Sequence, residues 1–174
     1  KGENFTKTGV EASKLKSNVC HPEYEGFNAR MSKLGVNPTI SIADSQGIGM
    51  LAHAEFSASE GEYSSASCLM INLCTAHIGR MRRVGNGPNI EGVLRPGTVA
   101  IALPNTPATG YWSKTRMLGV AVNLDALAVQ TEEPIAEESL LAAASQLHND
   151  PLLASVMTAL WHDAEFHGMS AAFF

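Results

Sequence analysis

Positive charge is scarce in this chain. Twelve Lys and Arg stand against seventeen Asp and Glu, for a net charge of -5 and a pI of about 5.6. A surface that grips DNA or RNA by its phosphates needs an excess of cations, so these residues are not expected to bind nucleic acid directly. Long apolar runs are missing too: none approaches the length that crosses a bilayer. The opening KGENFTKTG has no apolar core of a signal peptide. Cysteine is limited to Cys20, Cys68 and Cys74, an odd number without metal-type spacing. They read as buried, reduced thiols of a cytoplasmic protein. Catalytic signatures are absent as well. There is no G-x-S-x-G, phosphate loop, dinucleotide fingerprint, H-E-x-x-H or Cys–His motif, and no internal repeat. The chain does not begin with Met and closes on Ala171-Ala172-Phe173-Phe174. It therefore reads as a piece cut in or near a helix, with more protein originally following.

What is present is enough for one domain with a real core: 174 residues, 45% of them hydrophobic and 17% charged. Residues 1–42 are polar and broken by His21-Pro22 and Asn37-Pro38, and read as an arm or extension with a loose helix over Glu25–Leu34. Residues 43–124 carry short strands separated by turn signals. Ile48–Phe56 alternates, with Ile48, Met50, Ala52, Ala54 and Phe56 on one face and Leu51, His53 and Glu55 on the other. Ser57–Ser67 reads as a loop and Cys68–Cys74 as an apolar strand. His77–Val84 reads as a basic strand, and Gly85-Asn86-Gly87-Pro88 as a turn. Asn89–Leu94, Thr98–Leu103, Gly110–Lys114 and Met117–Asn123 follow as strands. Asp44 and Ser45 look like turn chemistry. After Asn123 the pattern becomes helical over residues 125–174. A short turn covers Leu124–Val129, and a helix covers Glu137–His148. A last helix has Asp150 as N-cap, Pro151 at its first position and Gly168 just past its end.

The face assignments bear on function. His53 and Glu55 have the look of a ligand pair, but no further donors stand on the neighbouring strands, so they read as solvated surface and no metal site is expected. Arg80, Arg82 and Arg83 read either as a charged edge strand or as an anion contact. Small residues recur on particular faces: Ala100 and Ala102, Gly119 and Ala121, and the face shared by Cys68, Met70, Asn72 and Cys74. Turned inward, they leave room for a small ligand near Met70, Asn72, His77 and Trp112. Turned outward, they pack under helices and the larger aliphatics fill the core. The sequence leaves both arrangements open. The stripe of Leu153, Val156, Met157, Leu160 and Trp161 is wide enough to reach a second subunit, which implies a homodimer.

The stretch Glu91–Trp112 has the corner, strand and Pro-rich turn of a small β-barrel of the cupin type. Such barrels often carry a metal-binding His after the late Pro turn, and Thr109 stands at that place. In the order of its parts, Ala43–Phe174 resembles the N-terminal half of AraC-type bacterial transcription regulators. The resemblance rests on Ser45-Gln46-Gly47-Ile48-Gly49, the basic strand after Cys68–Cys74, and Arg95-Pro96-Gly97-Thr98-Val99 with Leu103-Pro104. Val122-Asn123-Leu124-Asp125-Ala126-Leu127 and Asp150-Pro151-Leu152-Leu153 complete it. It covers about three quarters of the chain. It implies an α+β fold, a cupin-like β-barrel (jelly roll) followed by C-terminal helices. It implies a non-enzymatic sensor that binds a small-molecule effector without a cofactor and dimerises through its helices. DNA contact would belong to a separate C-terminal helix-turn-helix domain. The second reading is a metal-dependent cupin enzyme, an isomerase or dioxygenase.

Overall fold

Antiparallel pairing accounts for every strand contact between Ile40 and Val122 among the described residues. The computed structural model describes residues 29, 31, 32, 35–44, 46–63, 66–133 and 135–167. Most of the expected arm with its Glu25–Leu34 helix, Gly168, Phe173 and Phe174 lie outside them. The strands are β1 (Ile40–Ala43), β2 (Gly49–Phe56), β3 (Ser59–Tyr63), β4 (Leu69–Ala76), β5 (Gly79–Gly85), β6 (Ile90–Leu94), β7 (Val99–Ala102), β8 (Ala108–Trp112) and β9 (Thr115–Val122). Three helices follow: α1 (Leu124–Thr131), α2 (Glu137–Ala144) and α3 (Pro151–His167). One sheet has the order β1-β2-β9-β4-β7 and the other β3-β8-β5-β6. Their inner faces enclose the interior of an α+β, cupin-like barrel followed by C-terminal helices, as the sequence leads one to expect.

The turns have local causes. At Arg95–Thr98 the Thr98 N–H donates to the Arg95 carbonyl at 2.8 Å, with Pro96 and Gly97 between. Pro presets the first central position, and Gly97, at φ 93, supplies the positive φ that the second requires. The buried Asp44 carboxylate accepts from the Ile48 N–H at 2.8 Å and fixes the β1–β2 turn. Asn123 caps α1 by accepting from the Ala126 N–H. Asp150 does the same for α3, accepting from Leu152 and Leu153 N–H at 2.8 and 3.1 Å.

The two faces of the larger sheet have different jobs. Leu51, Leu73, Val99, Leu118 and Val120 pack outward beneath α3, against Met157, Trp161 and Ala164. Ile71, Ile101 and Val122 continue this layer toward α1 and α2 through Leu124, Leu140 and Ala144. The small residues therefore turn inward, which settles the alternative that the sequence leaves open. Large aliphatics lie under the helices, and the interior of the barrel keeps space.

Two expectations are corrected here. Ser57–Ser67 is not wholly loop: Ser59–Tyr63 forms β3, paired with β8 from Ser59↔Trp112 to Tyr63↔Ala108. Its polar residues hide the strand because it is a sheet edge with little to bury. The basic strand β5 is not an edge. It lies between β8 and β6, so edge protection does not account for its arginines.

Candidate functional site

A cavity of about 200 Å³ lies between the two sheets. Its walls follow from strand alternation. Asn72 and Met70 come from β4, Ala100 and Ala102 from β7, Thr115 and Met117 from β9, and Phe56 from β2. The smaller sheet contributes Met81 and Arg83 from β5, Ala108 and Trp112 from β8, and Leu94 from β6. Met31, ahead of the first strand, packs on Met50, Ala52 and Ala121 and also lines the cavity. The lining is mostly apolar, with a few convergent polar groups, which is the usual make-up of a small-molecule site.

Of the residues expected at a ligand site, the structure brings Met70, Asn72 and Trp112 to one cavity. His77 is not among its walls. β4 ends at Ala76, and His77 turns the chain toward β5 with φ 71 and an exposed side chain. Its carbonyl accepts from the Cys74 thiol at 3.6 Å. Reading His77 as the first residue of a strand misplaces it by missing this turn.

Ala108 and Trp112 line the cavity, so by strand alternation Thr109 faces out, and it is exposed. A histidine there would point away from the interior. Thr109 therefore says nothing about chemistry inside the barrel. Among the described residues, no group of three or more His, Cys, Asp or Glu converges as metal ligands would. Cys74 is a buried thiol, and burial raises its pKa above the usual value.

His53 is not on a solvated face. Its ring meets Trp161 edge-on at a centroid distance of 5.4 Å, and Nε2 lies 3.1 Å from the Thr75 hydroxyl. Burial lowers its pKa, and the nearby Arg116 lowers it further. Glu55 is exposed and paired with Lys114 at 2.8 Å and Arg116 at 2.9 Å. Hydrogen bonds from these two, Lys114 first, lower its pKa to about 2.

Sequence reasoning missed the part played by Arg83. The β5 alternation sends Arg80 and Arg82 outward, where Arg82 sits 3.8 Å from Glu91. Arg83 turns inward. It lines the cavity, and its Nη2 donates to the Ile101 carbonyl at 2.8 Å and to the Ala144 carbonyl, at the end of α2, at 3.2 Å. One side chain thus touches the cavity, the larger sheet and a helix.

Met157 and Trp161, expected at a subunit contact, pack instead on the chain's own sheet at 3% and 9% exposure. Without the helix the sheet aliphatics Leu51, Leu73, Val99, Leu118 and Val120 would face water, so the inner half of the stripe covers them and keeps them buried. Leu153 and Leu160 are partly buried against the same layer. Val156, with Leu152 and Phe166, points outward at 55%, 74% and 80% exposure. Among the described residues no helix is long and apolar enough to cross a membrane.

No protein-family model matches the sequence, and no curated protein matches it. Similarity is found among solved structures. The AraC-like transcriptional activator CuxR superposes with a TM-score of 0.58 and 14% identity, over 86% of this chain and 59% of that chain. A cupin-like protein from Thermotoga maritima gives 0.36 and 16%, over 52% of this chain and 69% of that one. Oxalate decarboxylase from Bacillus subtilis gives 0.36 and 8%, over 53% and 30%. At such identities the likeness is one of fold: this chain has the cupin-like barrel and trailing helices that it shares with an AraC-like activator, and it spans 59% of that activator's length.

Proposed function

We propose that this chain is the small-molecule-sensing and dimerisation part of an AraC-type transcription regulator, with DNA contact made by a separate helix-turn-helix domain. The observation that carries the reading is the apolar cavity inside the barrel, walled by both sheets and touched by Arg83, which also holds the end of α2. A ligand that prefers one arrangement of barrel and helices shifts the population between arrangements by its differential affinity, and a DNA-binding domain reads that shift. The acidic balance of the chain suits this division of labour, because phosphate contact would rest elsewhere. Homodimerisation is assigned to the outward side of α3, through Leu152 and Val156 with Leu153 and Leu160 beside them.

A thermal-shift screen over sugars, amino acids, aromatic acids and neutral aromatic amides tests the sensor reading. A specific effector raises the melting temperature with concentration, by mass action. A screen without any such compound, repeated by calorimetry, sinks it. Elemental analysis of the purified chain tests the non-enzymatic part. Stoichiometric Fe, Mn, Ni or Zn would favour a cupin enzyme instead.

A further inference from the structure

The walls of the cavity restrict what it accepts. Four methionines, Met31, Met70, Met81 and Met117, surround it together with Trp112. Thioethers are polarisable, adapt their rotamers and pack favourably against aromatic rings. The cationic group in the wall is already engaged by the protein. Arg83 donates to two backbone carbonyls, and Glu62, of opposite sign, is exposed. An ionised ligand needs a dedicated partner to offset its desolvation, and a polyol needs many polar contacts. Neither is provided for here.

One polar group is positioned differently. Asn72 sits in the middle of β4, opposite Gly119 of β9 and Ala100 of β7. Among the described residues no hydrogen bond engages its amide. Gly119 makes room for it, since a Cβ there would come within 3.1 Å of Asn72 Oδ1. An amide offers a donor and an acceptor side by side, and a partly buried one is costly to leave unmatched. Size sets the rest. An engineered apolar cavity of about 150 Å³ in another protein holds benzene, and this one measures about 200 Å³.

Resting on the reading of the cavity as a ligand site, we infer that it binds a neutral molecule of one ring or two fused rings, whose amide-like edge pairs with Asn72. The thioethers and Trp112 hold the ring faces, and Asn72 reads the donor–acceptor edge.

Benzamide, benzoate and glucose serve as probes, titrated into the full chain by calorimetry and ligand-observed NMR. Benzamide binds at one site, and benzoate at least about tenfold more weakly, because its charge has no partner. Glucose does not bind. Asn72→Leu weakens benzamide by about tenfold. Gly119→Ala, which keeps the amide but crowds it, also weakens benzamide and keeps the test valid should Asn72→Leu fail to fold. Benzoate or glucose binding more tightly than benzamide overturns the ligand class and leaves the sensor reading standing. Benzamide binding that ignores Gly119→Ala overturns the part assigned to Asn72. If no probe binds while the broad thermal-shift screen finds a ligand, the inference fails alone. If the broad screen is also blank, both fail.

Discussion

Arg83 shows how much one inward-facing side chain can carry. The last carbonyls of a helix have no partner within the helix. In α2 two of them are met from outside: Ala144 by Arg83 and Ala143 by His148 Nε2, at 2.6 Å. Arg83→Met keeps the bulk but removes the donors, leaving the carbonyl of a fully buried alanine unmatched. The expected loss is about 1–3 kcal/mol in urea unfolding. Arg82→Met, on the exposed face of the same strand, should change stability by less than about 0.5 kcal/mol. Equal losses for the two would remove any special role for Arg83. His53 gives a second test at this scale. Its folded pKa lies below 6.5 because burial disfavours the imidazolium. Between the folded value and 6.5 the unfolded chain binds more protons than the folded one, so stability falls as pH drops through that window and levels off below it. Unfolding midpoints at about pH 7.5 and about pH 5 should show this loss, and His53→Gln should make it smaller.

At the scale of elements, local chemistry decides where helices and turns begin. Asp150 satisfies two N–H groups at the start of α3, and Pro151 needs none. Asp150→Ala should cost about 1 kcal/mol, read from unfolding followed by the fluorescence of the buried Trp161. A variant as stable as the parent would mean that packing alone sets the helix start. These signals were legible in the sequence because they depend on neighbours in the chain: the Asp150-Pro151 start, the Pro96-Gly97 corner and the Asp44 turn all stand where the residues place them. Elements set by tertiary context were not legible. β3 is polar because it is an edge. Whether Ala100 or Val99 faced inward depended on where the helices lay, since either face of a strand is apolar enough to be buried. Met70, Asn72 and Trp112 could be placed near one another by alternation. His77 could not, because a positive-φ turn at a non-glycine residue leaves little trace in sequence. Arg83 was visible as lying opposite Arg80 and Arg82, but its carbonyl partners are 18 and 61 residues away.

For the whole molecule, the central question is how a barrel interior communicates with its surroundings, and α3 is the element that faces both ways. Its inner side, Met157, Trp161 and Ala164, is buried against the larger sheet. Its outer side carries Leu152 and Val156, one turn apart and largely exposed. In a homodimer built on that side, each copy would hide the apolar residues of the other, while the inner side would register changes in the sheet that walls the cavity. The two sides make opposite predictions for the same substitution. Val156→Asp places a charge on a residue that is 55% exposed in the single chain, so the fold should survive with at most a small change in intrinsic stability. The sedimentation coefficient should fall from that of a dimer to that of a monomer. Met157→Asp, one residue further on, buries an unpaired carboxylate at a position 3% exposed and should unfold the chain, at a cost of several kcal/mol. Sedimentation velocity and circular dichroism on the two variants separate the roles. A Val156→Asp protein that remains dimeric would place the subunit contact away from the outer side of α3, and a folded Met157→Asp protein would contradict the inward packing of the helix.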